Sequence, residues 1–171
     1  MCRYTTNVKN LSNDYQPKID LTGTGYCAAL NLRKTSRVVT ALYDSALVSS
    51  GPSSTQVTIL IAVAKSEPVP VGVLAKILLT DRTTLTRNLS LLSRAGLVSV
   101  SPRSAMRRRL VSLTFKGTAA LARSIRRWRK IQTHFVGSFG EPRWKQTQKA
   151  LEELAAIAVR LHPHSLPKFR R

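Results

Sequence analysis

Residues 81–100 read DRTTLTRNLSLLSRAGLVSV. Wound as an α-helix from Arg82 to Ala95, the segment places Leu85, Leu89 and Leu92 at i, i+4 and i+7, a single apolar stripe. The opposite side carries Thr83, Arg87, Ser90 and Arg94, with Thr86 on its flank. Asp81 stands where it can cap the first turn, and Gly96 where it can end the helix. A short helix that hides leucines on one side and holds out hydroxyls and arginines on the other is anchored by the first side and makes its contacts with the second.

Outward from this helix the chain is punctuated by breakers. Residues 1–24 are polar and read as a loose arm. From Gly25 to Leu47 the pattern is helical, with a wide apolar sector of Cys27, Ala28, Leu30, Val38, Ala41 and Leu42 that wants more than one neighbour. SSGPSS interrupts it, and Thr55–Lys65 is short and almost wholly apolar, a buried helix. Pro68 and Pro70 interrupt again before a third short helix, Val71–Leu79. After Gly96, Leu97–Ser101 and Leu110–Thr114 alternate and read as an antiparallel hairpin around the basic loop SPRSAMRRR. A long helix starts at Gly117, with Leu121, Ile125, Trp128, Gln132, Phe135 and Phe139 at steps of three and four. Gly140 and Pro142 break it, and a last helix runs from Arg143 to Leu161. The order is four helices, a hairpin and two helices, with no internal repeat.

Composition narrows the function. Of 171 residues, 43% are hydrophobic, enough for a real core, and 28 Lys and Arg against 8 Asp and Glu leave a net charge of +20. From Arg82 to Lys130 there are thirteen basic residues and no acid. That one-sidedness favours a polyanionic partner over a merely solvated surface. The longest apolar run, Ile59–Ala64, is far short of the ~20 residues a membrane span needs, and the N-terminus has no signal-peptide pattern. Cys2 and Cys27 make no disulfide framework, so a reducing cytoplasm is expected. No paired carboxylates, glycine-rich phosphate loop or nucleophile–base pattern is present, so no enzyme and no cofactor is expected. His134, His162 and His164 have no clustered Cys or acid, so no metal site is expected either.

Two short helices in tight succession followed by a two-stranded hairpin make a winged helix-turn-helix, whose second helix lies in the major groove of DNA. On that reading Arg82, Thr83, Thr84, Thr86, Arg87 and Ser90 meet base edges and phosphates. Arginine bonds both acceptors of guanine, and threonine offers a hydroxyl and a methyl. Arg103, Arg107, Arg108 and Arg109 of the hairpin loop reach the neighbouring minor groove or its phosphates, with Arg107 the groove contact. An ordinary surface helix would mix Glu among its cations, and this one does not.

The residues then reach a family. Five pieces in order carry the resemblance: CAALNLRKTSRVVTALYDSAL from Cys27, STQVTIL from Ser54, LAKILLTDRTTLTRNLSLLSRAGLVSV from Leu74, RRRLVSLTFKG from Arg107, and WRKIQ from Trp128. The stretch from Cys27 to about Gln132 resembles the MarR-type transcriptional regulators, about two thirds of the chain. The resemblance implies a mainly α protein with a small β-hairpin wing, and N- and C-terminal dimerisation helices. It implies a homodimer on a pseudo-palindromic operator, usually a bacterial repressor relieved by a small aromatic ligand or by oxidation. In one place the chain departs from the family. Ala105 stands two residues before Arg107, where the family usually has an Asp that pairs with the wing Arg.

The expected segments are therefore the arm (1–24), a first dimerisation helix and linker (25–54), the DNA-binding lobe (55–115), and C-terminal dimerisation helices with a basic tail (116–171). The apolar seam of Trp128, Phe135, Phe139, Trp144, Leu151 and Leu154, together with Leu30, wants a partner subunit. Tyr43, Trp128 and Phe135 are candidates to line a ligand pocket, though aromatics are more often core. Cys27 is a candidate redox residue, weighed against a small buried hydrophobe, which is the expectation here. The leading function is a sequence-specific DNA-binding regulator. The alternative is a non-specific, architectural DNA- or RNA-binding protein, which charge alone fits equally well.

Overall fold

A computed structural model describes residues 19–102 and 108–161. The chain divides after Arg37 into two units. In the first, a 3-10 turn, Thr24–Tyr26, precedes helix α1, Ala28–Leu47, which continues into the second. The apolar pattern predicts a helix from Gly25, but Cys27 is extended, and the Asn31 amide closes the turn by donating to the carbonyls of Gly25 (2.9 Å) and Cys27 (3.0 Å). Every described residue of this unit is exposed, Leu30 and Cys27 included.

The second unit holds α2 (Ser54–Ser66), β1 (Val69–Pro70), α3 (Val71–Ile77), α4 (Arg82–Arg94), β2 (Val98–Val100), β3 (Leu110–Leu113), α5 (Phe115–Phe139) and α6 (Glu141–Leu161). α2 begins with a reciprocal cap, Ser53 accepting from the Gln56 N–H while the Gln56 side chain accepts from the Ser53 N–H. Its apolar run is buried as expected: Val57, Leu60 and Val63 are each at most 2% exposed. The chain is mainly helical with one small antiparallel sheet.

The sheet has three strands in the order β1-β3-β2 rather than a two-stranded hairpin. Val69 pairs with Val111 and Pro70 with Leu110, while Val98, Ser99 and Val100 pair with Leu113, Ser112 and Val111. The two prolines read as a break instead bracket an edge strand, where a missing N–H costs no ladder bond. Beyond β1 the Glu67 carboxylate takes over the strand's role and accepts the Leu113 N–H at 2.6 Å.

α3 ends at Ile77, two residues earlier than its apolar pattern suggests, because Leu79 takes a left-handed conformation (φ 48). The Thr80 N–H then closes on the Ala75 carbonyl at 3.0 Å, and the chain turns directly into α4. Leu85, Leu89 and Leu92 of α4 are 1%, 4% and 1% exposed and enter one core with Leu60 and Val63 of α2, Leu74 of α3 and Val111 of β3. Each buried leucine contributes about 1.5–3 kcal/mol. Among the described residues no single helix is long and apolar enough to cross a membrane.

α4, β2, β3 and α5 meet at one junction. The Leu97 N–H donates to the Leu92 carbonyl (2.9 Å), and the Thr114 N–H donates to the Leu97 carbonyl (3.2 Å). The Thr114 hydroxyl donates to the Gly96 carbonyl (2.6 Å) and accepts the Gly117 N–H (2.9 Å), which caps α5. This cap starts α5 at Phe115, before the glycine that the pattern suggests as its first residue. Gly117 lies so close to the strand that a Cβ there would sit 1.8 Å from the Leu97 carbonyl oxygen. At Gly96 the demand is different: its φ of 70 favours glycine, but a Cβ would meet only the flexible Lys116 side chain at 3.7 Å. α6 likewise starts before its pattern, at Glu141, with Pro142 in the first turn where a missing N–H is tolerated.

Gly117→Ala should therefore destabilise by about 3 kcal/mol, the upper end for forced contacts in a packed core, and Gly96→Ala by about 1 kcal/mol through backbone strain. Urea unfolding of both variants checks the order. Equal losses would mean that the Gly117–Leu97 approach relaxes freely.

Candidate DNA-binding interface

The recognition surface starts at Asp81. Its carboxylate accepts the Thr84 N–H at 2.8 Å, satisfying a free donor of the first turn. Hydrogen bonds from the Thr84 side chain and its N–H hold the Asp81 carboxyl below its ordinary value of 3.8. With the leucine stripe buried, Arg82, Thr83, Thr86, Arg87, Ser90 and Arg94 line one open concave face of α4. The Thr86 hydroxyl donates to the Arg82 carbonyl at 2.6 Å. Arg94 lies back along the helix, its Nε donating to the Ser90 carbonyl at 3.4 Å. Arg82 reaches toward α3, its Nη2 4.0 Å from where a Cβ on Gly72 would lie.

Thr84 is exposed but stands off this face; its N–H is held by Asp81 and its carbonyl accepts from the Asn88 amide at 3.0 Å. Arg108 and Arg109 are exposed at the foot of β3. Arg109 also shares a crevice of about 290 Å³ with Thr86, Ser90, Ser93 and Arg94 of α4 and with Val100 of β2. The sequence pattern gives no sign of this meeting of wing and helix. Arg94 belongs to both the open face and the crevice, which adds it to Arg82, Thr83, Thr86, Arg87 and Ser90 as a candidate contact. Arg103, Ala105 and Arg107 lie outside the described residues, as do Cys2, His162 and His164.

Away from α4, Tyr43 and Trp128 line a cavity of about 350 Å³ with Thr40, Thr58, Gln132 and Trp144. The Tyr43 hydroxyl donates to Gln132 Oε1, and burial raises the phenol above its ordinary value of 10.0. Phe135 does not line this cavity. It packs edge-on against Tyr43 (centroids 6.1 Å apart) and Trp144 (6.2 Å). Cys27 is exposed just before α1, not tucked among apolar neighbours as a small core residue. The turn that delays α1 sets it outside the helix. Among the described residues no cluster of His, Cys, Asp and Glu is fit to hold a metal.

α6 has no buried residue over its 21 positions. Leu151, Leu154 and Ile157 are 40%, 43% and 42% exposed, and Leu151, Ala155 and Val159 form an apolar trough with Leu79. Trp128, Phe135, Phe139 and Trp144 are half-buried, Phe139 beneath the Arg143 guanidinium at 4.7 Å.

The MarR family model matches residues 50–109. The chain is 34% identical to the Mycobacterium tuberculosis transcriptional regulator MosR, solved in complex with DNA, over 77% of this chain and 98% of that one, with a TM-score of 0.69. A mutant of Escherichia coli MarR complexed with operator DNA shares the fold at 19% identity, over 80% and 99% of the two chains, with a TM-score of 0.70. Streptomyces coelicolor PcaV, in complex with its natural ligand, does so at 21% identity, over 84% and 99%, with a TM-score of 0.70. No curated protein shows a significant match. The chain belongs to the MarR family of winged helix-turn-helix regulators. It is a DNA-binding transcriptional regulator and not an enzyme.

Asp81 supplies a pH-dependent test of how α4 is held. A lowered carboxyl pKa means that the ionised cap stabilises fully above 3.8 and loses its effect as pH falls through the lower folded value. Wild type should unfold at a higher temperature than Asp81→Asn at neutral pH, and the gap should close in acid. A gap that persists at pH about 2 would assign the cap to geometry rather than charge.

Proposed function

We propose that the chain acts in the cytoplasm as a homodimeric repressor on a pseudo-palindromic operator, with α4 in the major groove. The observation that carries this is the partition of α4: three leucines in the core, and Thr83, Thr86, Arg87, Ser90 and Arg94 on one open face with Arg109 beside them. Hydroxyls interleaved with arginines offer base edges a pattern to match, whereas an architectural binder needs only charge. Arg108 and Arg109 serve phosphates next to the helix.

The exposed seam of α6 supports the dimer. A 21-residue helix with no buried position and leucines at i and i+3 is stable when a second copy covers it. Two-fold symmetry then sets two copies of α4 about 34 Å apart, one turn of DNA. Repression is the simplest output, since an occupied operator excludes other proteins without further contacts. The Tyr43–Trp128 cavity, at about 350 Å³, is within the size range of small-molecule sites. The Rhodococcus jostii regulator CouR, bound to p-coumaroyl-CoA, and ligand-bound PcaV share this fold. We assign the cavity to a small aromatic ligand whose binding relieves repression, with the Tyr43 hydroxyl as its polar contact.

Arg87→Ala should weaken binding to the preferred duplex by about 1–3 kcal/mol while leaving binding to random DNA nearly unchanged. Titration of both duplexes decides it; equal losses would make Arg87 a phosphate contact and undercut specific reading by α4. For the dimer, Leu151→Glu with Leu154→Glu should yield monomer or insoluble protein. A wild type that sediments as a monomer at micromolar concentration would remove the two-fold operator.

A further inference from the structure

α5 carries a second basic surface that operator reading by α4 does not use. Lys116, Arg123, Arg127 and Lys130 follow one another at steps of seven, four and three, and at about 100° per residue they fall within one narrow sector. All four are exposed, as is Arg126 on the flank of the row. Gly117, Ala120 and Ser124, the buried positions of α5, occupy the adjoining sector, so the row runs along the edge of the face that packs on the lobe. The row spans about 21 Å, the length of roughly six base pairs.

A solvated helix face mixes acids with its cations, and α6 does so, with Glu141 paired to Lys145 at 3.0 Å and Glu152 and Glu153 further on. α5 contains no acid at all. Among the described residues no ion pair involves any of its cations. Arg123 stands i−4 to Arg127, and Arg126 i−4 to Lys130, the spacing at which like charges oppose the helix. Such a face is stabilised by a polyanion laid along it. Its near end is continuous with the recognition surface. Lys116 Cδ is 3.7 Å from where a Cβ on Gly96 would lie, and Gly96 closes α4 two residues after Arg94.

We propose that the α5 row binds the phosphates of duplex DNA flanking each half-site, drawing the flank toward the long helix. The inference rests on α4 occupying the groove and adds a length requirement and a bend to it. A flank held this way carries no base contacts. Its sequence matters only through the energy of bending.

The test compares two duplexes bearing the sequence recovered by selection, one cut at the edges of the site and one extended by about ten base pairs of unrelated sequence on each side. Wild type should bind the longer duplex more tightly, with a salt slope steeper by two to three units per protomer, about 0.9 for each of three cations. The variant Arg123→Gln, Arg127→Gln, Lys130→Gln should lose that increment and bind the short duplex as wild type does. Arg123→Lys with Arg127→Lys should retain it. Loss of affinity on both lengths equally, an unchanged length increment, or a variant that sediments as a monomer would overturn the proposal, the last by assigning the row to a subunit contact. Arg87→Ala separates the two readings. If it leaves both duplexes unaffected, the seating of α4 is wrong, whatever the row does.

Discussion

The close approach of α5 to the carbonyl of Leu97 ties together the elements of the DNA-binding lobe. A single carbonyl faces a Gly117 that has no room for a side chain, and the Thr114 hydroxyl clasps the preceding Gly96 carbonyl while capping the long helix. Three elements are fixed at once: the end of the recognition helix, the wing strands and the base of α5. At the far end of α5, Phe135 packs edge-on against Tyr43 and Trp144.

The physics of α4 follows from this setting. Its leucines contribute to the common core of the lobe, so the helix presents its polar face without relying on DNA for order. Asp81 brings a negative charge to the helix N-terminus, where the backbone dipole favours it. That single acid is followed by none until Glu141, so the positive field over α4, the wing and α5 is unopposed along the sequence. Field and fold are separable in this protein. On the proposed reading, charge draws the duplex in, and the hydroxyls and arginines of one face choose among sequences.

Legibility in the sequence followed the range of the interactions involved. α4 was readable to within one residue because its cap, stripe and terminating glycine are all local. α2 was readable as buried from its unbroken apolar run. β1 was not, because a two-residue strand with a proline exists only through pairing with residues some forty positions away. The starts of α5 and α6 were read late, since Thr114 acts through a hydroxyl bond to Gly96 and Pro142 sits in a first turn. Cys27 looked like core because its neighbours in sequence are apolar, yet the turn before α1 leaves it exposed. Within the site, the face of α4 was legible, but the crevice that joins Arg109 to Ser90 and Arg94 was not. It depends on the junction at Leu97, whose geometry no pattern of residue types encodes.

On the proposed reading, paired copies of α4 read DNA by their exposed faces. Selection of binding sequences from a random duplex library tests it most directly. The account predicts an inverted repeat whose half-site centres lie about 10–10.5 base pairs apart, one helical turn. Recovery of no enriched sequence, or of a single unrepeated motif, would contradict it.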